Sequence, residues 1–265
     1  MFSIEQKNVF ITGAGRGIGL AIAARLIEAG ASVVITDIAD ATEAAKEIGA
    51  VYVPIDVTDE RSVADALAAA EQAIGRLDIV INNAGGALRD APVTEENYDN
   101  YSRTMKINTD GVFFGMKHAP KHMNDGGSII NTASLAANYA ISEYMSYSAA
   151  KAAVIAISKT AAQTLGSRGI RVNCVLPGTH ASPSQPADGL EAHLCRKLAP
   201  LGTTGKLEDL AGIYHFLAAP ESRFITGQAL TVDGGWGIGL APAALESLVT
   251  DFEGEKQLGY SGDFD

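Results

Sequence analysis

Seven residues near the amino terminus, Gly13-Ala14-Gly15-Arg16-Gly17-Ile18-Gly19, place a glycine at every second position between an apolar run (residues 8–12, NVFIT) and a helix-forming stretch that extends to about residue 29. Strand, glycine turn and helix in that order bring the backbone close to a pyrophosphate at a helix N-terminus, where unpaired N–H groups and the helix dipole favour negative charge. The spacing admits more than one register of G-x-G-x-x-G, and a ligand-free glycine turn is the plainer alternative. Residues 31–36 (ASVVIT) read as the next strand, with Asp37 at its carboxyl end. A carboxylate about 20 residues beyond the glycines is placed to bind the two ribose hydroxyls of an adenosine. The same carboxylate repels a 2′-phosphate, so NAD is expected ahead of NADP. Arg16 pulls the other way, because a guanidinium can hold such a phosphate. A like-charge clash is harder to evade than an optional contact is to use, which gives Asp37 the greater weight. Capping of the following helix is the structural alternative for Asp37.

The pattern continues along the chain. A third strand (51–56, VYVPID), a helix (59–74) and the near-continuous apolar run 77–85 (LDIVINNAG) follow in turn. Regular alternation of strands and helices predicts right-handed crossovers and a parallel sheet buried on both faces. The expected fold is α/β: a single doubly wound Rossmann-fold domain over residues 1–236 with a central parallel sheet of about seven strands. Its ligand crevice would lie outside the carboxyl ends of the strands, where Gly13, Asp37, Asp56, Asn83, Ser134 and Pro177 all fall. We see no internal repeat and no interdomain linker.

A chain of 265 residues with 47% hydrophobic and 19% charged residues can bury a large core. The formal charge of -11 disfavours nucleic acid, an anionic membrane or an acidic carrier protein as partner, which leaves a small-molecule substrate. Cys174 and Cys195 form neither a disulfide framework nor a metal-ligand spacing, so no metal and a reducing cytoplasm are expected. The first residues show no basic segment followed by an apolar one, and no run of 18 apolar residues occurs.

Residues 134–151, SLAANYAISEYMSYSAAK, carry the chemistry. From about residue 145 the Ala-rich sequence predicts a helix, on which Tyr147 and Lys151, four apart, share one face. The ammonium favours phenolate and is expected to pull the phenol from near ~10 toward neutrality, which makes a proton carrier. Ser134 closes the strand-like run 126–134 (GGSIINTAS), and its hydroxyl can polarise the substrate oxygen that Tyr147 protonates. A half-buried Tyr beside a solvated Lys is the bland reading of the pair.

Together TGAGRGIG, NNAG, Asn108, Ser134, Tyr147-SAA-Lys151, Pro177-Gly178 and the ending TGQALTVDGG resemble the short-chain dehydrogenase/reductase family, from about residue 7 to residue 236. The resemblance implies hydride transfer at a secondary alcohol or ketone, with Tyr147 exchanging the proton, Ser134 orienting the oxygen, and Lys151 holding the nicotinamide ribose. It implies that Asn108 holds a water leading protons from Lys151 to solvent. It also implies that Asp56 and Val57 lie beside the adenine and that Asn83-Ala84-Gly85 lines the cofactor.

The chain departs from the family after Pro177-Gly178. His180 stands where an apolar β-branched residue is usual and Ser182 where a Thr is, so Ser182 can still reach the cofactor. His180 is read as either a wall of the nicotinamide pocket or a solvent-facing loop residue. Residues 182–189 (SPSQPADG) suggest a mobile lid without a large apolar surface. With Asn138, Tyr139, Glu143 and Tyr144 they suggest a compact, partly polar substrate: a sugar, polyol or cyclic diol. A 3-oxoacyl-carrier-protein reductase and a hydroxysteroid dehydrogenase are the alternatives within the class, and a non-catalytic NAD sensor is the alternative outside it. Residues 237–265 extend past the usual family ending, with an amphipathic helix expected over 240–252 and apolar anchors at Leu258, Tyr260 and Phe264 that would pack on a neighbouring subunit. Family resemblance implies a homo-oligomer, tetramer or dimer, pairing through helices around 108–123 and 147–165.

Overall fold

The computed structural model describes residues 2–87, 91–182, 186–239, 241–242, 244–247 and 249–250. The apolar runs form seven strands, β1 (Asn8–Thr12), β2 (Ser32–Asp37), β3 (Val51–Pro54), β4 (Leu77–Asn82), β5 (Met123–Thr132), β6 (Arg171–Pro177) and β7 (Ala229–Val232). They pair in parallel in the order β3-β2-β1-β4-β5-β6-β7. Helices α1 (Gly17–Glu28), α2 (Thr42–Ile48), α3 (Glu60–Ile74), α4 (Tyr98–Met105), α5 (Gly111–His122), α6 (Met145–Leu165), α7 (Leu190–Leu198) and α8 (Leu207–Ala218) lie between them.

Alternation along the strands sorts the core into two layers. Val9 and Ile11 face Ile22 and Leu26 of α1 and Leu210 and Tyr214 of α8. Phe10 faces the other way, toward Val63 and Leu67 of α3, Met116 of α5 and Val154 of α6. Each fully buried Ile or Leu contributes about 1.5–3 kcal/mol of transfer free energy, and a strand buried on both faces has little room for polar residues.

Strand ends fall earlier than the apolar runs predict, for local reasons. β3 stops at Pro54 instead of residue 56, because the Asp56 carboxylate accepts from the backbone N–H and the hydroxyl of Thr58 at 2.9 and 2.7 Å, folding the chain into a turn. Asp59 then caps α3 by accepting from the Arg61 N–H. β4 stops at Asn82 because the Asn83 amide turns back and donates to the carbonyls of Thr12 and Gly13 at 3.0 and 2.9 Å. Winding reverses between β1 and β4, and this switch point opens the crevice at the carboxyl ends of the sheet.

Past the last strand, residues 242, 244–247 and 249–250 are helical. Ala241 and Ala244 are buried while Leu245 and Val249 are half exposed, in keeping with an amphipathic segment. Leu258, Tyr260 and Phe264 lie outside the described residues. Among the described residues no helix is long and apolar enough to cross a membrane.

Candidate active site

The glycine turn after β1 is shaped by close approach. Gly13 has φ of 62°, and a Cβ there would stand 2.6 Å from the Ala84 Cα. A Cβ on Gly19 would run into the Gly13 carbonyl and lie 2.7 Å from the Asn83 amide nitrogen. The loop therefore seats α1 directly on the turn after β4, with Gly15, Arg16, Gly17 and Ile18 between. Arg16 precedes α1 and is exposed. Asp37 accepts from the Gly15 N–H at 3.0 Å through one oxygen and from the Ala39 N–H at 3.1 Å through the other. The residue before α2 is Ala41, so Asp37 does not cap that helix; its carboxylate rests on the glycine loop.

Gly13, Arg16, Gly17, Ile18, Gly19 and Asp37 line one end of a cleft of about 1520 Å³, together with Asp56, Val57, Asn83, Ala84 and Gly85, whereas Gly15 is turned toward Asp37 and does not line it. The volume exceeds the about 300–1,000 Å³ of an ordinary small-ligand pocket and has room for a dinucleotide beside a second molecule. The turn after β4 is held from below, since Thr12 Oγ1 accepts from the N–H groups of both Asn83 and Ala84 at 3.0 Å.

At the other end the cleft meets the residues after β5 and the start of α6. Ser134 lies two residues past β5; its hydroxyl accepts from the Ala136 N–H at 3.2 Å and stands close enough to the Tyr147 phenol to lower its pKa. Lys151, one turn further along α6, is only 2% exposed. Its Nζ donates to the Thr132 carbonyl at 2.9 Å and stands 5.6 Å from the centre of the Tyr147 ring. Burial pulls the Lys151 ammonium down to about 8. Tyr147 is pushed up to about 12, first by desolvation and then by the charges of Glu191 and Tyr144, against the lowering effect of the Ser134 hydrogen bond. This reverses the expectation that the phenol moves toward neutrality: Lys151 spends its hydrogen bond on a backbone carbonyl, and burial dominates the phenol.

Asn108 is fully buried in a one-turn π-helix, Lys106–Asp110, between α4 and α5. Such turns are frequent at functional sites. Its side chain donates to the carbonyls of Gly86 and Thr104 and accepts from the Gly86 N–H, each at 3.0 Å. A Cβ on Gly85 would lie 2.6 Å from Asn108 Oδ1 and 3.0 Å from Lys151 Nζ, so the bare glycine lets the amide and the ammonium share one small space.

Sequence reasoning missed the outer wall. Leu190, Leu194 and Leu198 of α7 line the cleft with Trp236 and Tyr139. The lid expected over residues 182–189 falls partly outside the described residues, which omit 183–185; Pro186, Ala187, Asp188 and Gly189 are small, and an apolar face that the lid reading did not include begins at the next residue, Leu190. Leucines at i, i+4 and i+8 fall on one helix face, a signal that was present in the sequence. Cys195, in a charged segment, is 1% exposed because it packs with Leu135, Ala199 and Trp236. Tyr139, Glu143 and Tyr144 line the cleft, whereas Asn138 does not.

A sequence model described as Enoyl-(Acyl carrier protein) reductase matches residues 13–237. The cis-4-hydroxycyclohexanecarboxylate dehydrogenase of Sinomonas cyclohexanicum is 39% identical over 245 residues, covering 88% of this chain and 98% of that protein. The 2,5-dichloro-2,5-cyclohexadiene-1,4-diol dehydrogenase of Sphingobium indicum is 36% identical over 251 residues, covering 89% and 98%. A short-chain dehydrogenase from Burkholderia cenocepacia, solved in complex with NADP, superposes with a TM-score of 0.82 at 35% identity, covering 88% of this chain and 98% of its own. The chain belongs to the short-chain dehydrogenase/reductase family. It is an oxidoreductase acting on a CH–OH group with a nicotinamide cofactor.

Within this family member the departure at His180 has a structural meaning. His180 is 2% exposed, its Nδ1 lies 3.1 Å from the Gly178 carbonyl, and its ring packs on Gly205, where a Cβ would collide with it. The ring therefore neither faces solvent nor lines the cleft, which corrects both expectations: His180 pins the chain after β6 to the segment before α8. Its neighbours Pro177, Gly178 and Ser182 do line the cleft.

Proposed function

We propose that this short-chain dehydrogenase/reductase interconverts a compact secondary alcohol, a cyclic diol foremost, and its ketone, with NAD as cofactor and Tyr147 as the acid and base. The gathering of Ser134, Tyr147 and Lys151 on one wall of the cleft, with Lys151 buried, carries the reading. The residues fit a dinucleotide: bare glycines leave the backbone open beside α1, and Asp37 rests on that loop. Gly13, Gly15, Gly17 and Gly19 would flank the pyrophosphate, Asp37 the adenosine ribose, Asp56 and Val57 the adenine, and Lys151, Pro177, Gly178 and Ser182 the nicotinamide half. When bound, the nicotinamide ring takes or gives the hydride.

The protein manages the proton. The substrate oxygen sits between the Ser134 hydroxyl and the Tyr147 phenol; Ser134 donates to it and fixes its orientation, and Tyr147 takes its proton in oxidation or returns one in reduction. Lys151 stands 5.6 Å from the centre of the phenol ring, placed to hold the nicotinamide ribose, and Asn108 holds the Gly85–Gly86 turn against it. A wall of leucines, Trp236 and tyrosines suits a carbocycle bearing polar groups, and the cyclic alcohols named for the relatives support the same class.

The test is oxidation of a panel of cyclic diols, polyols, sugars, hydroxysteroids and 3-hydroxyacyl esters with NAD and with NADP. Turnover is expected with NAD on a cyclic diol. Asp37→Ala is expected to shift the preference toward NADP by roughly tenfold or more, since it removes a carboxylate from beside the 2′ position. Unchanged discrimination would contradict the role given to Asp37. Tight NADH binding with no turnover on any class would instead favour a cofactor sensor.

A further inference from the structure

One phenol lies in an otherwise apolar layer of the core. Tyr214 of α8 is the bulkiest of the fully buried side chains, in the same layer as Val9 and Ile11 of β1 and Ile22 of α1. A buried hydroxyl without a partner is costly. Tyr214 finds its partner at the end of β5, where its oxygen lies 2.7 Å from Thr132 Oγ1. Thr132 is 7% exposed and lines the cleft.

Counting hydrogens gives these bonds a direction. Thr132 Oγ1 also lies 3.4 Å from Asn83 Oδ1, and an amide oxygen can only accept. The Asn83 amide nitrogen is engaged on the other side, giving its hydrogens to the carbonyls of Thr12 and Gly13. The single Thr132 hydrogen therefore goes to Asn83, and Tyr214 donates to Thr132. The opposite order would strand the phenol hydrogen, because Thr132 is the hydrogen-bond partner of Tyr214 among the described residues. One directed chain thus runs from α8 past the end of β5 to the glycine turn. Its middle link is long, near the limit of hydrogen-bond distance, so the short bond from Tyr214 is what keeps the Thr132 hydroxyl turned toward Asn83. Thr132 serves the cofactor end of the cleft a second time through its backbone, whose carbonyl takes the Lys151 ammonium.

We propose that Tyr214 is a positioning residue for the nicotinamide cofactor: by fixing the Thr132 hydroxyl it keeps the Asn83 amide against the glycine turn and so holds the seat of the dinucleotide. The role rests on the glycine turn being that seat, as proposed above, and is independent of which alcohol is oxidised and of the choice between NAD and NADP.

The experiment titrates NADH and NADPH calorimetrically into wild type, Tyr214→Phe, Thr132→Val, the double variant and Leu217→Ala, with Tm measured on each. Tyr214→Phe keeps the ring and loses the hydroxyl. It is expected to weaken binding of the cofactor that wild type prefers by about fivefold, the worth of one neutral hydrogen bond. In turnover that loss should fall on the KM for the cofactor and spare kcat. Thr132→Val should weaken binding as well, and adding Tyr214→Phe to it should weaken binding no further, since the two act through one chain. Leu217→Ala controls for stability alone. Leu217 is a fully buried residue of the same helix, and its carbonyl accepts from Ser128 and from Arg171 at the amino end of β6, away from the cleft. It should lower Tm more than Tyr214→Phe does and leave cofactor affinity unchanged. Affinity that falls in step with Tm in both Tyr214→Phe and Leu217→Ala would make Tyr214 a core residue only and overturn the proposal. Losses that add in the double variant would overturn it too, as would a Tyr214→Phe affinity within about twofold of wild type. Wild type that binds neither cofactor would instead refute the glycine turn as the seat, and the role of Tyr214 with it.

Discussion

At the scale of single residues the most consequential choice is the burial of Lys151. Holding an ammonium at 2% exposure and lowering it from 10.5 to about 8 costs the native state about 3 kcal/mol at neutral pH. The hydrogen bond to the Thr132 carbonyl returns about 1–1.5 kcal/mol of that. Lys151→Met should therefore raise unfolding free energy at pH 7 by about 1–2 kcal/mol while destroying turnover, a trade of function for stability. The sign follows from linkage. Below about 8 the side chain is charged in both native and unfolded protein and the penalty is complete; between about 8 and 10.5 the native state releases its proton first, so wild-type stability rises with pH. The advantage of the variant should shrink across that window in urea unfolding curves. A variant less stable than wild type at pH 7 would contradict this. The sequence shows the Tyr147–Lys151 spacing but not which oxygen the ammonium binds, and for that reason the direction of the Tyr147 shift was misread from it.

Among elements, the β1–glycine turn–α1 unit was legible because its glycines mark real close approaches. The contrast between two glycines tests this. In Gly19→Ala the new methyl meets the Gly13 carbonyl and the Asn83 amide, so α1 must shift, at about 1–3 kcal/mol of stability. The KM for NAD should rise tenfold or more. In Gly49→Ala the methyl meets nothing within 4 Å, and the left-handed φ of 77° at the end of α2 costs about 1–2 kcal/mol with no change in that KM. Thermal unfolding and cofactor titration of the two variants measure both quantities; equal KM values would refute the account of the turn. The wall from α7 was less legible. Its leucine row has helical spacing, but only the fold shows that this face looks into the cleft and not into a core. His180 was harder still, because its partner Gly205 is brought beside it by tertiary structure alone.

For the whole molecule, the alternation of buried strands and helices reaches a seven-stranded parallel sheet whose winding reverses between β1 and β4. That single topological fact gathers Gly13, Asp37, Asp56, Asn83, Ser134 and Pro177 at one edge, although 164 positions separate the first from the last by number, 177 less 13. The doubly wound parallel sheet, the site's location and the cleft residues Tyr139, Glu143 and Tyr144 could be reasoned from sequence, whereas the wall from α7 and Trp236 could not, because no local pattern encodes the placement of these elements against residues 139–144. The measurement that bears most directly on the proposed chemistry is the rate of NAD reduction on a cyclic diol by wild type and by Tyr147→Phe, with NADH affinity measured on both. Loss of the phenol should lower kcat by about 10²–10⁴-fold and leave NADH affinity unchanged. A Phe variant that turns over within tenfold of wild type would show that the proton is carried by another group.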